Sequence, residues 1–135
     1  GPPFRTSITN LVSNTGVVGN NVTGVGTARN NLAAAGYGSD KAIFGYGYGT
    51  GYSAITNLVS NTGVVANDTS GVGTVRAVLA AAGYGTDKAI FGYGTDGSLS
   101  LQYSMTNLVS NTGVVASDTT GVGTARSGVA AASYG

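Results

Sequence analysis

Three arginines occupy the same place in a repeating sequence: Arg29, Arg76 and Arg126 each close a Gly-Val-Gly-Thr-X-Arg block. A guanidinium carries its donors in a planar fork that suits a carboxylate or a set of sugar hydroxyls. Three copies around a ring would line a pocket for such a ligand. A residue present in every unit more commonly serves the interface between units, here by hydrogen-bonding loop carbonyls. Tyrosine is the second chemistry-bearing type. Tyr37, Tyr46, Tyr84, Tyr93 and Tyr134 recur with the repeat and read as packing between units, whereas Tyr48, Tyr52 and Tyr103 fall in a variable segment. A tyrosine ring has an apolar body and a polar tip, which suits stacking against sugars at a half-wet surface. The candidate binding residues are therefore Arg29, Arg76, Arg126, Tyr48, Tyr52 and Tyr103.

Other chemistry is poorly provided for. The chain of 135 residues has no His, Glu or Cys. Its acids are Asp40, Asp68, Asp87, Asp96 and Asp118. The commonest general base, thiolate sites and disulfides are excluded, and no unit holds paired carboxylates. Near-identical repeats also argue against a unique catalytic centre, which needs different residues in different roles. No enzyme activity, cofactor or metal site is expected. Asp40-Lys41 and Asp87-Lys88 offer lone carboxylates, whereas calcium takes about six to eight oxygens; they read as turn residues. Gly24-Val25-Gly26-Thr27 resembles a phosphate loop but lacks the following Lys and a helix. Asn21-Val22-Thr23 and Asn67-Asp68-Thr69 match the glycosylation pattern, which matters only in a secreted eukaryotic protein.

The net charge is +1 and the basic residues are scattered, so no nucleic-acid surface is expected. No apolar run approaches the ~18 residues of a membrane helix. Gly1-Pro2-Pro3-Phe4-Arg5 lacks the apolar core of a signal peptide, and Gly1-Pro2 would also fit a tag scar.

The elements follow from the repeat. Thr9-Asn10-Leu11-Val12-Ser13-Asn14-Thr15-Gly16-Val17-Val18 returns after 47 residues and again after 50. Ala33 to Gly38 returns at Ala80 to Gly85 and, altered, at Ala130 to Gly135; Asp40 to Gly47 returns at Asp87 to Gly94. Length differences fall in one place, Tyr48 to Tyr52 against Thr95 to Tyr103, which marks a surface loop. β-branched runs between Gly, Asn, Asp and Thr, and few strong helix formers, predict an all-β fold. The strands expected in the second unit are Val78 to Tyr84, Lys88 to Tyr93, Ser104 to Val109 and Gly113 to Ala116. Four antiparallel strands per repeat of about 47–50 residues is the pattern of β-propeller blades. The small Ala run suits an innermost strand.

An Arg before an Ala-rich strand, then Ile43-Phe44-Gly45-Tyr46-Gly47 or Ile90-Phe91-Gly92-Tyr93-Gly94, a variable loop and two outer strands resembles a degenerate kelch-type blade. Kelch blades usually carry adjacent glycines and an outer-strand Trp, where this chain has Gly-Tyr-Gly and no Trp. The near-identical repeats are also similar to repetitive propeller proteins of phage and environmental origin. That resemblance implies a virion or extracellular surface.

The expected organisation is a split unit over 1–28 holding two outer strands, complete units at 29–75 and 76–125, and an inner strand at 126–135. That makes eleven strands and an incomplete ring per chain, since closed propellers take about 4–8 blades. The expected partner is a second copy or the rest of a longer propeller chain. Two functions fit: a non-catalytic structural or attachment module, with multivalent glycan binding, and a self-assembling propeller fragment or engineered chain whose activity is ring closure.

Overall fold

The Ala-Ala-Ala-Gly-Tyr and Lys-Ala-Ile-Phe-Gly runs form a hairpin because the residues between them can adopt left-handed backbone. Gly38 and Ser39 have φ of 62° and 68°, and Gly85 and Thr86 have 62° and 73°. Two successive positive-φ residues reverse the chain in the sense the strand twist requires. The Asp that follows pins the turn. The Asp40 carboxylate accepts from Lys41 Nζ at 2.7 Å and from Asn61 Nδ2 at 3.2 Å, tying this hairpin to the next turn of its unit. Asp87 does the same with Lys88 and Asn111.

The computed structural model describes residues 5–97 and 101–135. The Gly1-Pro2 reading and positions 98–100 of the variable loop lie outside them. The fold is all-β, with no helix among the described residues. Its strands are β1 (Thr9–Val12), β2 (Val18–Val22), β3 (Ala33–Tyr37), β4 (Lys41–Gly45), β5 (Thr56–Val59), β6 (Ala80–Tyr84), β7 (Lys88–Gly92) and β8 (Thr106–Val109). They build three antiparallel sheets, ordered β1-β2, β3-β4-β5 and β6-β7-β8. The last two share one register: Gly45 faces Thr56 across β4 and β5, as Gly92 faces Thr106 across β7 and β8.

Two expectations are corrected here. The fourth run of each complete unit is not a continuous strand; it touches β5 through isolated bridges at Val59–Val65 and Thr56–Thr69, and β8 at Val109–Val115 and Thr106–Thr119. The pairing there is interrupted, and a side chain bridges the interruption. Backbone bonds still tie the run to β5, from Ala66 N–H to the Leu58 carbonyl and both ways between Thr56 and Thr69, and between them Asn57 Nδ2 donates to the Ala66 carbonyl and to Asp68. The Ala-rich segment at 130–135 is also not a strand, because no described second strand lies beside it. The described residues therefore hold eight strands where eleven were expected.

The β6-β7-β8 sheet packs on β3-β4-β5. Fully buried Phe91 of β7 sits against Gly45 and Tyr46, with the Phe91 and Tyr46 ring centroids 5.0 Å apart. A Cβ on Gly45 would lie 2.7 Å from the Phe91 ring, so only glycine permits this approach. Ile43, Leu79, Ala89 and Val109 complete the core around it. A backbone chain links successive units: Val78 N–H donates to the Asn31 carbonyl, and Gly128 N–H to the Val78 carbonyl, both at 2.9 Å. All three residues have positive φ, at 55°, 58° and 69°. For β-branched Val78 this costs on the order of 1–3 kcal/mol, which the junction on either side must offset.

Candidate functional site: the junction between repeats

Each Gly-Val-Gly-Thr-X-Arg block crosses from one unit into the next, and its Arg locks the crossing. Arg76 Nε donates to the Tyr93 carbonyl at 2.7 Å, Nη1 to Thr74 O at 2.9 Å, and Nη2 to Asn107 Oδ1 at 2.7 Å. Its guanidinium lies 4.7 Å over the ring of Tyr46, which belongs to the preceding unit. The Tyr46 hydroxyl donates to the Val72 carbonyl. Arg29 repeats the polar part, with bonds to Tyr46 O, Thr27 O and Asn57 Oδ1. Tyr46 and Tyr93 aim their carbonyls at the arginines from left-handed backbone, φ 64° and 67°.

A carboxylate completes each junction. Asp118 accepts from Thr74 N–H, Thr74 Oγ1–H and Asn107 Nδ2–H, at 3.1, 2.6 and 2.8 Å. Asp68 accepts the same set from Thr27 and Asn57. Burial works against the charged form of both carboxylates. The hydrogen bonds from Thr and Asn, with the nearby Arg, outweigh it and leave both acids below their ordinary pKa of 3.8. Arg29 Nη1 stands 3.9 Å from Asp68, so it acts there through charge and not through a bond. Burial lowers the pKa of Arg29 and of Arg76, yet guanidinium stays charged at any accessible pH. Burial pushes the Tyr46 hydroxyl up, which keeps it protonated as the donor to Val72.

The predicted site residues thus divide. Arg29 and Arg76 are buried in their junctions, at 7% and 0% exposure, with their donors used inside the protein. Arg126 stands 4.4 Å over Tyr93 and donates to Thr124 O, but it is exposed and has no Asn partner among the described residues. The three do not converge on one pocket. Tyr48 and Tyr52 do meet, edge to face with centroids 4.8 Å apart, and Arg5 lies over Tyr48. Tyr103 is separate from them and donates to Asp96. Burial is the main reason that its hydroxyl pKa is raised.

Four positions that complete the junction were not among the site residues read from the sequence: Thr27 and Thr74, Asn57 and Asn107, Asp68 and Asp118, Tyr46 and Tyr93. Their recurrence in register with the arginines was the available signal. No group of His, Cys, Asp or Glu suited to a metal occurs among the described residues.

The first unit carries the acceptor half of a junction. Asn10 holds the place of Asn57 and donates to Asn21 Oδ1, which stands where the other units have Asp. Beside β1 a groove of about 460 Å³ runs between Ile8, Asn10, Val25, Arg29 and Phe44. No family model matches the chain, and a search of curated proteins finds no similar sequence.

Proposed function

We propose that the chain is a non-catalytic structural module of β-propeller type, its sheets serving as blades, and that its activity is the docking of repeat on repeat. The observation that carries this reading is the unequal use of equivalent residues. The last unit exposes a donor half, Thr124 and Arg126, and the first exposes an acceptor half, Asn10 and Asn21. Inside the chain the same halves close two junctions. Exposed Leu11, Val12, Val18, Leu108 and Val122 supply apolar surface for a further copy to cover. A head-to-tail contact of this kind is heterologous and closes into a ring when the rotation allows.

Native mass spectrometry over rising concentration tests the reading. Dimers or larger rings are expected, and Arg126→Ala should shift them to monomers. Asn21→Asp should tighten association roughly fivefold, because a carboxylate restores the second acceptor for Thr124 at about 1 kcal/mol. A wild-type chain that stays monomeric at high micromolar concentration overturns the proposal.

One observation supports the second reading, glycan attachment. The Tyr48–Tyr52 pair, with Asn30, Asn31 and Val78, lines a pocket of about 310 Å³. Tyrosine faces beside amide groups suit a saccharide ring and its hydroxyls. Binding on a glycan array that disappears with Tyr52→Ala would establish it; a blank array would remove it.

A further inference from the structure

We infer that the groove beside β1 is a strand-acceptor site, which takes an extended peptide of the Lys-Ala-Ile-Phe-Gly-Tyr-Gly type supplied by another repeat. The inference deepens the docking reading and rests on it.

The molecule displays the occupant in the equivalent place twice. β5 and β8 each have the sequence Thr-Asn-Leu-Val, and each pairs with a Lys-Ala-Ile-Phe-Gly strand. β1 is the same Thr-Asn-Leu-Val. It pairs with β2 on one side, and no described strand covers its other edge. Such an edge presents alternate backbone donors and acceptors to an incoming strand.

The far wall of the groove matches as well. Phe91 is covered by Gly45 and Tyr46 of the preceding unit, and its ring is fully buried. Phe44 holds the same repeat position, is only partly buried and lines the groove. Arg76 and Arg126 each lie under a tyrosine of the preceding unit, at 4.7 and 4.4 Å. Arg29 also lines the groove, and no described ring stands over it. Tyr46 and Tyr93 donate to the carbonyls of Val72 and Val122, each at 3.0 Å. Val25 is the third residue at that position, and it borders the groove.

These three gaps belong to one ligand. Its glycine lies opposite Thr9 and against Phe44. Its tyrosine ring covers Arg29, and the hydroxyl reaches the Val25 carbonyl. Its Ile pairs across Leu11, as Ile43 does with Leu58. Glycine is required, since a Cβ at the equivalent Gly45 comes within 2.7 Å of the phenylalanine ring.

The test uses a synthetic peptide with the sequence of residues 87–94 and the full chain carrying Arg126→Ala, which holds the protein monomeric. Saturable binding by calorimetry is expected, with amide-exchange protection appearing at residues 9–12. Peptides with glycine at Gly92 replaced by Val, or tyrosine at Tyr93 by Ala, should bind at least tenfold more weakly. Equal binding of a scrambled peptide, or no protection at 9–12, overturns the acceptor site. Self-association of the wild-type chain is measured separately, so failure of the peptide leaves the docking reading standing, and failure of both removes it.

Discussion

Arg76→Ala should cost about 3–5 kcal/mol of unfolding free energy, while Arg126→Ala, at the same repeat position, should cost under about 1 kcal/mol in the monomer. Truncating Arg76 leaves the Tyr93 carbonyl and Asn107 Oδ1 without their donor inside a closed junction. Each such buried orphan costs about 1–3 kcal/mol. The Tyr46 ring also loses the cation stacked on it, worth about 1–2 kcal/mol when desolvated. A domain with about 5–15 kcal/mol in total has little margin for that loss. Arg126 has water on one side, one carbonyl partner and an exposed stacking on Tyr93 worth about 0.5–1 kcal/mol, so its removal leaves no hydrogen-bonding group buried and unpaired. Urea unfolding followed by far-ultraviolet circular dichroism, at concentrations where the chain is monomeric, measures both. A difference below about 1 kcal/mol between the two variants would contradict the junction as the structural lock.

Asp118→Asn should cost about 1–3 kcal/mol at neutral pH and should flatten the acid limb of the stability curve. Asn can keep one oxygen for Thr74 N–H and Asn107 Nδ2, but its NH2 then faces Thr74 Oγ1, whose hydroxyl must turn to accept, and the charge assistance of all three bonds is lost. The pH dependence follows from the lowered pKa. In the folded state Asp118 titrates below its ordinary 3.8, so its stabilisation is fully present above that value. It is lost as pH falls from there through the folded pKa, where the native carboxylate takes up its proton. Asp68 shares the depression, which means the variant should keep part of the acid sensitivity. Thermal melts of both proteins between about pH 2 and about pH 7, a span that brackets the ordinary Asp range, provide the comparison. An unchanged acid limb in the variant would show that Asp118 is not held by these bonds.

Much of the architecture could be read directly. The Ala-rich runs at Ala33 and Ala80 are strands and not helical turns, since the glycines that close them and the β-branched, aromatic runs that follow leave only a hairpin. The loop of variable length lies between the second and third strands of the unit, as the insertion indicated. The fourth run was harder to read. Gly113 to Ala116 has strand composition, but its pairing with β8 is reduced to isolated bridges, between which the amide of Asn107 bonds Ala116 O and Asp118. Nothing local to 113–116 announces a side chain from the neighbouring strand. The junction was only half legible for the same reason: Arg76 was visible, while its partners lie 17 and 31 residues away.

The sequence by itself determined the repeat, the all-β class and the lack of His, Glu and Cys, because these depend on composition and on short-range periodicity. It also showed that Arg29, Arg76 and Arg126 stand in the same relation to their neighbours along the chain. Only the tertiary structure decided that Arg76 is wholly buried, that Arg29 borders a groove and that Arg126 meets solvent. The same holds for Phe91, which is sealed, and Phe44, which is not. Equal local sequences acquire unequal roles because burial depends on which unit packs against each face, and that neighbour is a property of the assembled repeat.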